Sequence, residues 1–205
     1  MENQYDILLR DLENLRNADI AFEVPGSRSH GYRLPPVLTE PEVEQFESLH
    51  RICLPDDYRQ FLLLIGNGGA GPHNGIERLG EFNGVSWDMI YGLIGDIASP
   101  FPYSEKWNDS RIRHDLTIEE QYEKQDRYWS HHHVNGAIPV CELGCNLRQI
   151  LVVSGPEEGN IWFDDRADWK GIYPLKTSKS ERVSFFEWYR SWLDDGLNQV
   201  HKTSL

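Results

Sequence analysis

Apolar side chains recur at helical spacing in four stretches of the chain. Tyr5, Leu8, Leu12 and Leu15 line one face of residues 5–17, and Asp6, Arg10, Glu13 and Asn17 occupy the rest of the wheel. Val43, Phe46 and either Leu49 or His50 face inward on a second helix. Thr39 opens it, with Glu42 at capping-box spacing and Pro41 suited to the first turn. Leu54-Pro55-Asp56-Asp57-Tyr58 opens a third, with Pro55 at its first position and the two aspartates at the positive end of the dipole. Tyr58, Phe61, Leu62 and Ile65 then follow the i, i+3, i+4, i+7 pattern. Ser184 and Glu187 form a capping box for a last helix, whose broad face holds Phe185, Trp188, Tyr189, Trp192 and Leu193; Gly196 suits its end.

Between the third and last helices the period changes. Gly66 stops the third helix, and Asn67-Gly68-Gly69-Ala70-Gly71-Pro72 makes a tight turn. Ile76 to Phe82 predicts a first strand. Ala137 to Cys141 and Leu147 to Val153 are apolar and β-branched, Asn160 to Asp164 and Gly171 to Leu175 extend the series, and residues 154–159 loop between strands. Residues 24–36 read as a loop or strand edge. Residues 96–135 are polar, aromatic and irregular: an insertion, with one short helix over Ile118 to Tyr128 behind a Thr117–Glu120 capping box. Helices, then consecutive short strands, then a helix predict an α+β fold on a mixed, largely antiparallel sheet, since each parallel pairing needs a crossover. No repeat or long linker divides residues 1–205, which predicts a single domain.

Composition narrows the function. The 205 residues carry a formal net charge of −13, which repels nucleic acid and anionic membranes and speeds encounter with a basic partner. No apolar run is long enough to cross a bilayer, and Met1-Glu2-Asn3-Gln4 lacks the start of a secretory signal. The three cysteines (Cys53, Cys141, Cys145) make no disulfide framework, so the cytoplasm is the expected location.

Candidate chemistry is sparse. His131-His132-His133 with Cys141 and Cys145 lacks zinc-ligand spacing, and adjacent histidines do not all point one way. No metal or cofactor is expected. The glycine-rich turn lacks the Gly-Lys-Ser/Thr ending of a phosphate loop, and Ser154-Gly155 reads as a turn rather than a nucleophile. Glu157, Glu158, Asp164 and Asp165 lie at predicted strand ends, placed either to meet a basic partner or simply as exposed polar loop. Trp107 and Trp129, with Tyr122 and Tyr128, stand among charges in the insertion. That mix suits an interface and a local satellite core equally.

The run Leu54-Pro55-Asp56-Asp57-Tyr58-Arg59-Gln60-Phe61-Leu62 followed by Gly66-Asn67-Gly68-Gly69-Ala70-Gly71-Pro72 resembles the signature of the SUKH superfamily, specifically its Smi/Knr cell-wall-regulator branch. Ile138-Pro139-Val140, the Leu151–Gly155 segment, Gly159-Asn160-Ile161-Trp162 and the closing Ser184–Tyr189 and Trp192-Leu193 match in order, so the resemblance covers residues 39–195. It leaves out 1–38, an N-terminal helix and loop, and the insertion at 96–135. The resemblance implies an α+β domain without a shared catalytic constellation, in which Leu54, Pro55, Tyr58, Phe61, Leu62, Gly66, Asn67, Gly68, Gly69, Gly159 and Trp188 are fold determinants. Bacterial members look like immunity proteins that bind polymorphic toxins. By that resemblance the chain is a non-enzymatic binder of a basic protein toxin, for which a nuclease suits the charge. It acts as a monomer or weak homodimer, with no nucleic acid or membrane partner. A cytosolic regulatory scaffold, closer to the fungal role, is the alternative.

Overall fold

The computed structural model describes residues 3–87, 94–109, 117–178 and 180–203. Residues 110–116 of the expected insertion lie outside the described residues. In chain order the elements are α1 (Gln4–Ala18), α2 (Ser27–His30), α3 (Glu40–His50), α4 (Asp56–Leu64), β1 (Glu81–Phe82), β2 (Val85–Ser86), α5 (Ile118–Tyr128), β3 (Ala137–Gly144), β4 (Leu147–Val152), β5 (Ile161–Asp165), β6 (Gly171–Pro174) and α6 (Phe185–Thr203). The fold is α+β. Strands β3-β4-β5-β6 form an antiparallel meander, and β1 and β2 form a separate hairpin.

The capping signals act as expected. Glu42 accepts from Thr39 N at 2.7 Å, Glu120 from Thr117 N at 2.8 Å, and Glu187 from Ser184 N at 3.0 Å. Each fixes the start of a helix; the apolar stripes of α3 and α6 then face inward, whereas α5 leaves Ile118 and Tyr122 exposed and buries only Tyr128 at its end. On α3 the structure chooses between the two possible inward residues: Leu49 is exposed, while the His50 ring lies 4.4 Å from Phe46.

Two expectations need correction. Ile76 to Phe82 is not one continuous strand: Ile76 makes isolated bridges to Gly69 on one side and Cys141 of β3 on the other, and only Glu81–Phe82 at its end are strand, as β1 of the hairpin. The glycine-rich turn takes the place a strand would have held. Ala70 N donates to Arg33 O, Asn67 N to Pro36 O and Gly69 N to Ile76 O. A Cβ on Gly69 (φ +102°) would lie 2.5 Å from Arg33 O, so only glycine lets these three chain passes close up. Nor does Gly196 end the last helix. α6 runs on to Thr203, and Gly196 instead brings α6 against α1: a Cβ there would sit 2.8 Å from Leu15 Cδ2.

The larger core lies between the helices and the inner sheet face. It joins Leu8, Leu12 and Leu15 of α1 and Tyr58, Phe61 and Leu62 of α4 to Leu151 and Ile161 of the sheet and Phe185, Tyr189 and Leu193 of α6. Side chains alternate along a strand, so a second cluster forms on the outer face from Ile150, Val152, Trp162 and Ile172 with Phe101 and Val134.

Candidate partner-binding face

The outer face is built on a buried charge. Arg148 of β4 and Asp164 of β5 stand opposite in the antiparallel register, and Arg166 follows two residues on. Arg148 Nη2 donates to Asp164 Oδ2 at 2.6 Å, and Arg166 Nε to Oδ1 at 2.7 Å. Burial pushes the Asp164 carboxyl up, but the two guanidiniums outweigh it and hold it well below the usual carboxylate range. Asp165 is also inside, accepting from Tyr173 OH at 2.8 Å. Both carboxylates are 3% exposed, so neither projects from a strand end towards a partner. Register delivers Arg148 to Asp164, while Asp165 is met by Tyr173 and by Lys170 Nζ at 3.4 Å.

Over this floor run the aromatic side chains of the insertion. The segment from Phe101 crosses the sheet and adds to its open edge, where Trp107 exchanges two backbone hydrogen bonds of 2.8 Å with Ile172 of β6. Phe101 packs on Trp162 with centroids 4.9 Å apart, and Tyr103 on Phe101 at 5.7 Å. Trp107 stacks on Tyr103 at 5.4 Å, on His133 at 4.0 Å and on Tyr128 at 5.4 Å. Tyr128 continues to Trp169 at 5.1 Å, and Trp169 meets Trp129 at 6.2 Å. Arg166 lies 5.7 Å beneath the Trp129 ring and also donates to Ser130 O at 3.1 Å.

His133 locks the middle of the ladder. Its Nε2 is 2.8 Å from Arg127 O; a carbonyl only accepts, so Nε2 carries the proton. Nδ1 is then the acceptor for Tyr103 OH at 2.5 Å. Burial lowers the His133 pKa, which favours this neutral ring. His131 and His132 point to solvent. Among the described residues no three His, Cys, Asp or Glu side chains converge as metal ligands.

Trp107 and Trp129 therefore share one ladder, each half-buried, and Asp164 supports it from below. Glu157 belongs to the far end. It accepts from Arg182 Nε at 2.5 Å, and Arg182 in turn lies over Trp162 at 5.6 Å. Glu158 stays exposed in the β4–β5 loop. Sequence reasoning missed Tyr103, Arg148, Arg166, Trp169 and Arg182, and weighed His133 only as a metal ligand. An arginine inside a β-rich stretch was the available signal for Arg148. Trp169 gave none, because it reaches the ladder through a left-handed backbone at φ +59°.

The framework is α+β, and its open sheet face is overlaid by partly buried aromatic rings. A family model for the SMI1 / KNR4 family (SUKH-1) matches residues 37–190. The chain belongs to that family. Comparison with curated proteins and with solved structures returns no match. Among the described residues no helix is long and apolar enough to cross a membrane.

The resemblance residues have structural positions. Leu54, Tyr58, Phe61, Leu62 and Trp188 are buried in the larger core. Pro55 stands at the N-cap of α4, one residue before the first helical position expected of it, and Asn67 Oδ1 accepts from Leu79 N at 2.9 Å. Cβ atoms on Gly66 and Gly68 would press on Pro35 O at 2.9 Å and Ile76 O at 2.8 Å, and Gly159 turns at φ +86°.

Proposed function

We propose that this chain is an immunity-type binding protein that neutralises a basic protein toxin by docking it on the outer aromatic face. The observation that carries the reading is the ladder itself. Trp107, Trp129 and Trp169 present half-covered rings on a floor fixed by Arg148, Asp164 and Arg166, the rigid aromatic anchoring from which interface hot spots are made. Charge supports a basic partner. The chain carries −13 overall, and α5 beside the ladder holds Glu119, Glu120, Glu123 and Asp126 against Lys124 and Arg127. Membership of the SMI1 / KNR4 (SUKH-1) family is consistent with this role.

The experiment is to search the genes flanking this one for a secreted protein ending in a toxin domain, co-express that domain with this chain, and follow with calorimetry on the purified pair. Trp129→Ala and Trp107→Ala are each expected to weaken binding by about 2 kcal/mol or more, roughly thirtyfold, and to reduce protection. Leu49→Ala, on exposed α3 surface, serves as the control. Full protection by both tryptophan variants would move the interface elsewhere. A chain that binds no neighbouring toxin would end the reading.

A further inference from the structure

On the other side of the sheet a cleft of about 380 Å³ opens between the inner face and α6. Its floor is Gln149 of β4, its walls include Trp188 and Trp192 of α6 and Leu175 beyond β6, and its mouth is bounded by Val24 and Pro25. The size suits a small ligand or one inserted side chain. Val24, Pro25 and Trp192 lie outside residues 37–190, so the cleft joins parts of the chain that the family match covers to parts that it does not.

Two polar atoms of this lining are buried and have no partner: the Gln149 side-chain oxygen, on a residue 3% exposed, and the Trp192 indole N–H. Buried polar groups left in that state are costly, and each points to a missing complement. Gln149 Oε1 asks for a donor and Trp192 Nε1 for an acceptor. The charged members of the lining, Lys176 and Asp195, are exposed, whereas Val183 and Trp188 are buried and apolar, which penalises a charged group carried inward. A carboxamide supplies donor and acceptor in one neutral group, and it serves equally if the Gln149 amide is turned over.

We propose that the Gln149–Trp192 cleft is a binding site for a neutral carboxamide borne on an apolar group. This goes beyond toxin binding and uses the opposite sheet face. The group arrives either as a free small amide or as an Asn or Gln side chain of a partner protein, and the two sources are separable.

The test follows the Trp192 indole signal in ¹⁵N–¹H NMR of the full chain, assigned by its loss in Trp192→Phe. The probes are 3-phenylpropanamide, its methyl ester, and the blocked peptide acetyl-Leu-Gln-Leu-methylamide. The amide is expected to move the signal saturably, and the ester, which keeps the acceptor and loses the donor, to bind about tenfold more weakly. Tighter binding of the peptide than of the free amide assigns the site to a partner side chain; the reverse assigns it to a small molecule. Gln149→Leu is expected to stay folded, with an unchanged or higher melting temperature, and to lose the amide-over-ester preference. If Gln149→Leu fails to fold, the same loss of preference is read in Trp192→Phe by chemical-shift changes at neighbouring amides. A Trp192 signal unmoved by amide and peptide, or moved equally by amide and ester, overturns the proposal. Toxin binding through the outer face is measured separately and stands or falls by itself.

Discussion

Asp164 shares one carboxylate between two guanidiniums in a space that excludes water. Removing it strands two buried cations, and an uncompensated buried charge costs more than the pair ever contributed. Asp164→Ala is therefore expected to destabilise the protein by about 3–5 kcal/mol, read by urea unfolding. A loss below about 1 kcal/mol would mean that the arginines reach solvent when freed. Ser184→Ala, which removes the hydroxyl that accepts from Glu187 N, is expected to cost only about 1 kcal/mol. The contrast marks what could be read from residues alone. A cap and its partner lie three positions apart, so Thr39, Thr117 and Ser184 were legible. Asp164 meets Arg148 through strand register across sixteen residues, and a carboxylate at a strand end looks the same whether it faces water or an arginine.

Gly196 sets the distance between α1 and α6, and two opposing effects act there. Alanine in a helix interior gains about 1 kcal/mol over glycine, yet its Cβ would press on Leu15, which has no exposed surface into which to move. Gly196→Ala is accordingly expected to lie within about 1 kcal/mol of the parent. Gly196→Leu has no such offset and is expected to lose about 1–3 kcal/mol in thermal or urea unfolding. The same helix shows why some elements were misjudged. Glycine commonly follows a helix, so Gly196 looked like a terminus, and only the packed neighbour reveals a crossing point. Ile76 to Phe82 failed for a related reason: its apolar residues serve several local contacts instead of one continuous ladder. The β3 to β6 meander was legible because each strand is paired to the next through a short connection.

Stability against pH is set by groups scattered over the molecule. His30 is buried against Tyr32 and Trp192, and burial is the main reason its pKa falls to about 4. It binds fewer protons folded than unfolded, so acidification from pH 7 to 5 removes about 2 kcal/mol. Glu77 is raised to about 6, chiefly by burial with help from the carboxylates of Glu142 and Glu81. It binds more protons folded than unfolded, so the same acidification adds about 1 kcal/mol. The two oppose each other. Glu77→Gln is expected to lose stability more steeply than the parent between pH 7 and pH 5, and His30→Asn less steeply, in urea titrations at the two values. Parallel profiles for all three proteins would remove both assignments. The pairing of α1 with α6 acts at this largest scale too. Tyr5 meets Phe186, Asp11 meets Arg190 and Leu15 meets Gly196, so the two helices run parallel, about 180 residues apart along the chain. At a ribosomal rate of about 5–20 residues per second, α1 leaves the tunnel roughly 10–35 s before its partner exists. During that interval Leu8, Leu12 and Leu15 form an unpaired apolar stripe. It is a natural place for a chaperone to hold the nascent chain until α6 arrives and displaces it.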